Sequence, residues 1–341
     1  MRKWIILGIP ALSALVLLCG RTWADDPMLL PPGFKEGRWV GPSYYKGTGR
    51  SAFTALKVGQ SARASGMGDA FTAVSDDINA IYWNVAGLTR VKRFAYALGY
   101  TRWFVDSKFF TGALARRVGA GTVGVSFIQF QGPTSLETTP LDPQGKSGRE
   151  ISGGNVFVKA AYARQIFDRL SIGLSAKWLQ ERLDDVRANS INFDFSSLYY
   201  TGIGSSRLAM SFNNVGPNRG LIRPGSTDVG TAFAQPFVYT VAAAMEVIGR
   251  KDGPYRLTGA VELAHHLDDR ERMHFGGELW LANTLALRAG YRWRYDTGRW
   301  TLGAGVKRDF DAGHGIGVDV SYVDRELFNT APVRVSLTGT F

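Results

Sequence analysis

The stretch that decides the fold is LALRAGYRWRY, residues 285–295. Its residues alternate between an apolar face and a face that carries Arg288, Arg292 and Arg294 together with small residues only. A period of two indicates a β-strand whose two faces meet different surroundings. Because aromatic residues end the apolar face, the pattern is typical of a strand with lipid on one side and a polar lumen on the other.

The same alternation recurs after Arg90, for example at residues 300–307, 316–322 and 333–338. A soluble β-sandwich also alternates, with its apolar face inward. Recurring charges and glycines on one face favour a membrane barrel, in which a closed sheet satisfies every backbone group. We therefore predict an antiparallel outer-membrane β-barrel of about 14 strands. The predicted strands start near Arg93, Lys108, Gly121, Gly154, Leu170, Ala188, Ser205, Pro236, Pro254, Arg270, Thr284, Arg299, His314 and Pro332.

The predicted connections alternate between short turns and longer polar loops. Turns such as 167–168 and 282–283 lie at one end, whereas segments 131–153, 181–187, 216–235 and 324–331 lie at the other. Short periplasmic turns and long external loops are typical of bacterial outer-membrane barrels. The chain ends on Phe341 at an outward-facing position, and we predict that this residue is a C-terminal signal for the barrel assembly machinery.

The first residues predict export. Arg2 and Lys3 precede an apolar stretch, and Thr22 and Ala24 place small residues before a cut, so residues 1–24 match a secretory signal peptide cleaved after Ala24. The alternative is a retained membrane anchor, which is disfavoured because the apolar run is too short to span a bilayer. We predict that the cleaved chain resides in the bacterial outer membrane.

Composition excludes several classes of function. Cys19 is the only cysteine and precedes the predicted cut, so a thiol nucleophile, a disulfide and a cysteine metal site are excluded, and we predict no cofactor. Removing the three cations of the signal peptide, Arg2, Lys3 and Arg21, from the formal net charge of +11 leaves +8. An exported chain rarely meets nucleic acid, so the predicted partner of this charge is phosphate-bearing lipid of the outer leaflet. The alternative is a simple excess of solvated charge.

Residues 25–90 lack the alternation and contain SGMGDAFTAVSDDINAIYWNVAGL at 65–88. Ser75 is a suitable N-cap for a helix over 76–83, so we predict that Asp76 and Asp77 cap this helix rather than bind a metal. Gly66 and Gly68 form a GxG, but no βαβ unit surrounds them, and a nucleotide loop is rejected. A barrel of about 14 strands is too wide for its own side chains to fill. We therefore expect this segment to form a short, partly helical hatch in the lumen.

The predicted organisation is a signal peptide at 1–24, a hatch at 25–90 and a transmembrane β-barrel at 91–341. The inward faces of the last strands carry charges that we expect to pair with one another and with the hatch, an interpretation favoured over ion selectivity. These predicted lumen-facing charges are Glu262, Glu278, Arg288, Arg292, Arg294, Lys307, Asp319 and Arg334.

An enzyme is the least expected class of function. The one cluster of candidate catalytic groups is His265 and His266 with Asp268 and Asp269, in a predicted outer loop. Adjacent histidines in a polar loop are usually solvated, and none of the histidines has the spacing of a zinc site. We therefore predict neither a catalytic site nor a metal site.

Three segments of the opening stretch carry a resemblance to a known family. SARASGMGDAF at 61–71, the following Asp76-Asp77, and YWNVAGL at 82–88 resemble the amino-terminal signature of the PorV/PorQ family of FadL-like outer-membrane barrels. Val85 stands where the family has proline, and FNNVG at 212–216 and LRAGYR at 287–292 resemble strand segments of the family more weakly. The hatch residues that carry the motif are Gly66, Gly68, Asp76, Asp77, Asn84 and Gly87.

The resemblance implies a fourteen-stranded barrel with a hatch in its lumen, and two possible functions. PorV-like members dock secreted cargo and hand it to surface attachment machinery in type IX secretion. FadL-like relatives pass long-chain fatty acids or other hydrophobic small molecules. Because a charged lumen favours a plugged scaffold over a conduit, our first hypothesis is a docking or shuttle component in protein export, with cargo or secretion subunits as partners. The alternative is uptake of hydrophobic solutes, whose sideways exit would require glycines or interrupted strands in the wall.

Overall fold

A computed structural model describes residues 34–35, 38–39, 51–222, 232–249, 253–310, 313–324 and 331–341. The predicted signal peptide, its cleavage after Ala24 and most of residues 25–50 of the predicted hatch lie outside the described residues. The chain divides into two compact units, Met1–Thr48 and Gly49–Phe341. In the first unit, the two-residue strands Phe34–Lys35 and Arg38–Trp39 pair antiparallel.

The second unit is a closed barrel of fourteen antiparallel strands, in which every strand pairs with its neighbours in sequence and the last pairs with the first. This arrangement confirms the predicted fold class, and the predicted strand starts lie within a few residues of the observed ones. The strands are β1 (Phe94–Arg102), β2 (Lys108–Val118), β3 (Gly121–Leu136), β4 (Glu150–Phe167), β5 (Leu170–Leu183), β6 (Val186–Tyr200), β7 (Arg207–Val215), β8 (Val238–Gly249), β9 (Tyr255–His266), β10 (Arg272–Leu281), β11 (Leu285–Trp293), β12 (Trp300–Asp309), β13 (Gly315–Val323) and β14 (Val333–Thr340).

The two faces of the strands differ as the alternation predicts. In β13 the outward residues Ile316, Val318, Val320 and Tyr322 are exposed, whereas the residues between them are buried, among them Asp319. Only hydrocarbon makes a continuous band of exposed apolar side chains favourable, and a closed sheet leaves no backbone group unpaired there.

Residues 51–90 run through the lumen and pack against the inner face of the wall. They form a 3-10 helix at Thr54–Lys57, helix α1 (Ala62–Gly66), helix α2 (Ala80–Trp83) and a second 3-10 helix at Val85–Arg90. Phe53, Phe71 and Ile81 are fully buried in this segment. Within the described part of the chain, no helix is long and apolar enough to cross a membrane.

Strands β3 to β6 are longer than the sequence predicts. They have 16, 18, 14 and 15 residues, whereas a tilted membrane span needs about 9–11. Most of the predicted loop at 181–187 is strand, and the turn shrinks to Asp184 and Asp185. The outward residues of the extension, such as Gln180 and Arg182, are polar and stand in water. The prediction failed here because strict alternation of apolar and polar residues is required only where a strand lies in hydrocarbon.

The position of the apolar band leads to a test by charge insertion. Leu287→Arg places a cation on the outward face near the middle of the band, and we expect it to lower the free energy of unfolding by about 2–4 kcal/mol. Leu285→Arg, the same change at the short-turn end of β11, is the control, with an expected cost of about 0–1 kcal/mol. Urea unfolding in lipid vesicles measures both. Equal costs at the two positions would contradict the assigned membrane level.

Candidate functional site

The hatch meets the barrel wall backbone to backbone at two glycines. A Cβ added to Gly66 would lie 2.9 Å from the Cα of Gly303, and Thr301 Oγ1 donates to the Gly66 carbonyl at 3.1 Å. Gly68 has a φ of +67°, and a Cβ added to its neighbour Gly290 would lie 2.1 Å from the Gly68 nitrogen. These two hatch glycines therefore serve close approach to the wall and a left-handed backbone conformation.

Arg63 joins two parts of the hatch to the wall. Its guanidinium donates to both carboxylate oxygens of Glu278 at 2.7 Å, to Asp76 at 2.6 Å and to Asp77 at 2.7 Å. Burial alone would lower the pKa of Arg63, but the carboxylates of Asp76, Glu278 and Asp77 outweigh it and raise the pKa well above its usual value. Arg63 therefore stays charged and acts as the centre of an ionic lock, which we define as Arg63, Asp76, Asp77 and Glu278.

This contact corrects the predicted role of Asp76, whereas Asp77 also accepts from the Asn79 amide at 2.8 Å, next to the start of the helix, as a capping residue would. The helix predicted over 76–83 begins only at Ala80, and Asn79 precedes it without a side-chain cap. Ser75 donates instead to the Phe71 carbonyl at 3.0 Å. Burial alone would raise the pKa of Asp76, but Arg63 holds it below the usual value. A buried guanidinium has five donors to satisfy, and this demand from a residue 13 positions away is invisible in the local sequence.

The ionic lock continues into the wall through the predicted lumen charges. Glu278 on β10 also accepts from Arg288 Nε on β11 at 2.7 Å. Arg288 Nη1 in turn donates to Asp319 on β13 at 2.7 Å. Glu278 and Arg288 are buried in a low-dielectric interior, where an ion without a partner is costly. The ion pairs just described supply these partners.

Three other predicted lumen charges bond the hatch directly. Arg292 Nη1 lies 3.1 Å from Asp69, Glu262 accepts from the Thr72 amide at 3.0 Å, and Arg334 Nε donates to the Gly59 carbonyl at 3.1 Å. The remaining two lie near the ends of their strands. Arg294 is 3.7 Å from Glu271 in the loop before β10, and Lys307 donates to Asp309 at 3.0 Å.

Asn84 and Gly87 shape the turn that leads out of the hatch. Asn84 Oδ1 accepts from the Ala86 amide at 3.1 Å, and its Nδ2 donates to the Thr72 carbonyl at 2.9 Å. A Cβ added to Gly87 would lie 2.1 Å from the Ser75 carbonyl oxygen. Since the 3-10 helix Val85–Arg90 forms here, the turn is built with valine at the position where the resembling family has proline.

A second buried charge cluster was missed from the sequence. Asp194 on β6 pairs with Lys159 on β4 at 3.0 Å and with Lys177 on β5 at 2.7 Å. Lys159 also donates to the Ile81 carbonyl of the hatch at 2.8 Å. The signal in the sequence is that all three residues occupy inward-facing positions of the alternation in their strands.

The four candidate groups lie at the long-loop end of the barrel. His265 and His266 are the last two residues of β9 and not loop residues as predicted, whereas Asp268 and Asp269 lie in the loop that follows. Asp268 is buried rather than solvated, and it accepts from Ser51 Oγ at 2.6 Å and pairs with Lys57 of the hatch. Burial alone would raise the pKa of Asp268, but hydrogen bonds from Lys57 and Ser51 hold it below its usual value. This loop therefore anchors the upstream end of the described hatch.

A cavity of about 140 Å³ lies between the hatch and the wall. Tyr82, Trp83 and Phe157 are its aromatic lining, and burial raises the pKa of Tyr82 so that the phenol stays neutral. Its other apolar lining residues are Leu56, Val58, Ile128, Pro236, Val238 and Ala264. Its polar lining residues include Gln60, Asp69, Thr72, Lys159, Lys177, Asn213, Asn214, Thr240, Glu262, His266, His274 and Tyr295. The lining of the cavity therefore combines aromatic, aliphatic and hydrogen-bonding side chains.

The wall of this cavity contains an interruption in strand pairing. The register of β6 with β7 shifts between Phe193 and Phe195, where Asn214 adopts a φ of 65°. The Asn214 amide donates to Asp194 at 2.8 Å instead of to a strand partner. On the outer side, the rings of Phe212 and Tyr239 stack with centroids 4.7 Å apart. A β-bulge thus separates the cavity from an aromatic patch on the outer surface.

Phe341 lies beside the first strand at the short-turn end. Its amide donates to the Phe94 carbonyl at 2.9 Å, and its ring stacks on Tyr96 with centroids 5.9 Å apart. The residue therefore completes the closure of the barrel on its outer surface. Its role as a signal for the assembly machinery stays a prediction.

Comparisons with known proteins agree with this architecture. A family model described as Uncharacterised protein family (UPF0164) matches residues 41–179. No curated protein sequence matches the chain. The resemblance to the PorV/PorQ family in particular stays a prediction.

Solved structures match most of the chain. The Ralstonia pickettii toluene transporter TbuX aligns with a TM-score of 0.55 at 14% identity, covering 81% of this chain and 96% of its own. The Pseudomonas putida toluene transporter TodX aligns with a TM-score of 0.53 at 13% identity, covering 82% and 96%. A Pseudomonas aeruginosa FadL homologue gives 0.52 at 11%, covering 82% and 97%. At these identities the likeness shows the fold alone, that of an outer-membrane β-barrel.

The ionic lock leads to a test of hatch stability. Arg63→Met leaves Glu278 with Arg288 only and removes the partner of Asp76 and Asp77, which we expect to cost about 3–5 kcal/mol. The expected result is faster proteolysis within residues 51–90 and a higher ion conductance in planar bilayers. Arg149→Met is the control, since it removes an exposed arginine paired with Glu137 and Asp184, whose ion pairs are screened by water. An Arg63→Met barrel as closed and as protease-resistant as the parent would show that the lock does not hold the hatch.

Proposed function

We propose that this protein is an outer-membrane channel for small, largely apolar solutes, which bind in the cavity between hatch and wall. The observation that carries the proposal is the size and lining of that cavity. Its volume of about 140 Å³ is close to the roughly 150 Å³ that accommodates benzene in an engineered cavity. Tyr82, Trp83 and Phe157 provide aromatic rings against which an apolar ring would pack.

The polar groups that line the cavity limit the class of solute that it could bind. Lys159, Lys177 and Glu262 each already have a charged or hydrogen-bonded partner within the protein. A solute in this cavity therefore meets a wall of internally paired charges and needs no net charge of its own. The geometry suits a compact molecule with one apolar ring and at most a small polar group.

The route from the cavity would lead sideways rather than straight through. Toward the short-turn end, the hatch is held to the wall by the ionic lock and by close backbone contacts at Gly66 and Gly68. The bulge at Asn214 borders the cavity, and the outward aromatic pair Phe212–Tyr239 lies on the other side of the wall. A sideways exit requires an interrupted strand of this kind. An exit at this bulge would open into the apolar band.

The solutes of two of the similar structures support this class of solute. TbuX and TodX are described as toluene transporters, and a ring of toluene size is what the cavity accommodates. This support consists of the shared fold and a cavity of matching size. The sequence identity is too low to assign the substrate of these transporters to this protein.

A docking role in protein export is the second candidate, and one observation favours it. Strands β3 to β6 rise beyond the apolar band with a polar outward face that includes Gln180, Arg182 and Asn189. Such an extension offers a surface on which an exported protein could dock. The cavity and the bulge have no part in that role, which is why we place solute uptake first.

Filling the cavity tests the proposal. Ala264→Trp adds a large side chain to the cavity lining and takes up space that the solute would occupy. We expect uptake of labelled toluene by cells expressing the protein to fall by about tenfold. Ala289→Trp is the control, because Ala289 faces outward on β11 and tolerates an added ring in lipid.

Two outcomes would contradict the proposal. One is uptake by the parent protein no faster than in cells with an empty vector. The other is unchanged uptake in Ala264→Trp. If deletion of the gene instead removes proteins from the cell surface while toluene uptake persists, the docking role replaces the proposed one.

A further inference from the structure

Strand register places three polar side chains side by side in the lining of the cavity. Ser126 on β3 pairs with Lys159 on β4, and Lys159 pairs with Lys177 on β5. All three are buried and line the cavity. Because the Cβ atoms of directly paired residues lie about 4.5–5.5 Å apart, the three side chains form one hydrogen-bonding patch on the wall. We call these three residues the polar row.

An apolar row, which we define as Ile128 and Phe157, lies next to the polar row on the side of the long loops. Ile128 pairs with Phe157, and each is two residues along its strand from a member of the polar row. Residues two apart on a strand face the same way, at a separation of roughly 7 Å. Both residues line the cavity, and Tyr82 of the hatch packs against the apolar cluster that contains them. An aromatic ring that packs on the apolar row would therefore hold a substituent against the polar row.

The two lysines of the polar row have hydrogen-bond donors that the protein does not use. A lysine ammonium carries three donors. Lys159 Nζ lies 3.0 Å from Asp194 and donates to the Ile81 carbonyl at 2.8 Å. Lys177 Nζ lies 2.7 Å from Asp194 and donates to Asn214 Oδ1. Among the described residues, each ammonium therefore has two partners, which leaves it one donor for a solute.

The serine of the polar row supplies an acceptor. Within the described ranges of the chain, Ser126 Oγ makes no hydrogen bond to another residue, although the residue is only 5% exposed. A hydroxyl can accept as well as donate. The substituent that suits the polar row is thus an oxygen that accepts from an ammonium and carries a hydrogen for the serine.

From this arrangement we propose that the cavity selects phenols with a single ring over hydrocarbons of the same size, an inference that rests on the proposed solute channel. The ring packs against the apolar row and Tyr82, the phenol oxygen accepts from Lys159 or Lys177, and its O–H donates to Ser126. A hydrocarbon would displace water from the polar row without replacing its hydrogen bonds. Sites built to bond a hydroxyl discriminate against analogues that lack it, because their own buried polar groups are then left without partners.

The position of the polar row beside the bulge favours a neutral phenol over an aromatic acid. Lys177 donates to Asn214, the residue of β7 at the bulge that has a φ of 65°. A solute that leaves there enters the apolar band, where an ionised carboxylate is strongly disfavoured. A phenol can bond to the polar row without carrying a net charge, so the same molecule can be bound here and then pass into hydrocarbon.

Equilibrium dialysis of radiolabelled phenol and radiolabelled toluene against the purified, detergent-solubilised protein tests the inference. The two solutes differ only in a hydroxyl that replaces a methyl group, and dialysis against detergent alone gives their partition into micelles. We expect the parent protein to bind phenol roughly tenfold more tightly than toluene, because the hydroxyl bonds to a charged group. Ser126→Ala should weaken phenol binding about fivefold and leave toluene binding unchanged.

Ser336→Ala is the matched control. Ser336 on β14 is also a buried, inward-facing serine without a hydrogen-bond partner, but it does not line the cavity. This variant should bind phenol like the parent protein. Ser126→Thr keeps a hydroxyl at the polar row, and we expect it to keep most of the preference for phenol.

The outcomes separate this inference from the proposed function. A parent protein that binds toluene as tightly as phenol would overturn the inference and leave the solute channel in place, whereas binding of neither solute would refute both. Unchanged phenol binding by Ser126→Ala, or an equal loss in Ser336→Ala, would also overturn the inference. The slower gel migration of heated against unheated protein reports folding of every variant. If Ser126→Ala does not fold, the preference of the parent protein between the two solutes decides.

Discussion

The bidentate pair between Arg63 and Glu278 is the interaction on which the rest of the structure depends. A fourteen-stranded barrel that faces lipid outside must turn its polar residues inward, and its lumen is too wide for them to fill. Charges in that lumen lie in a low-dielectric space, where an unpaired ion is expensive. Arg63 supplies a cation from the hatch to Glu278 of the wall, and Asp76 and Asp77 bind the same guanidinium from the far side. Hatch and wall are thus each incomplete without the other.

The same interaction limits how the protein can conduct. Removing the hatch would break the charge-assisted bonds of Arg63, Asp69 and Glu262, each worth about 1.5–3 kcal/mol, together with the backbone contacts at Gly66. A state with an empty lumen is therefore rarely populated. Local opening at the bulge near Asn214 disturbs far fewer bonds, because strand pairing is already interrupted there. Because opening at the bulge breaks fewer bonds than removal of the hatch, we expect the hatch to stay in place and the wall to open.

The alternation of residues made the barrel predictable, and the same reasoning explains where prediction stopped. Hydrocarbon imposes a period of two on every spanning strand, so Leu287 and Arg288 had to face opposite ways. Water imposes no such rule, and the extension of β3 to β6 was therefore taken for loops. The role of Asp76 depended on Arg63, and the anchor at Asp268 depended on Lys57. Contacts between residues so far apart in the chain follow from the closed barrel and leave no local pattern.

Two properties decide which partners each arginine of this barrel has: whether its side chain faces inward or outward, and how deep it lies in the membrane. Arg288 faces inward at mid-height, where hydrocarbon surrounds the wall, so it requires Glu278 and Asp319 as fixed partners. Arg116 faces outward at the edge of the apolar band, where its long side chain can reach out of the hydrocarbon. An outward arginine at the height of Arg288 would have neither a fixed partner nor water, and the outward positions of β11 from Leu285 to Trp293 are accordingly apolar. The alternation that places charges in the lumen thus also confines external charge to the two rims.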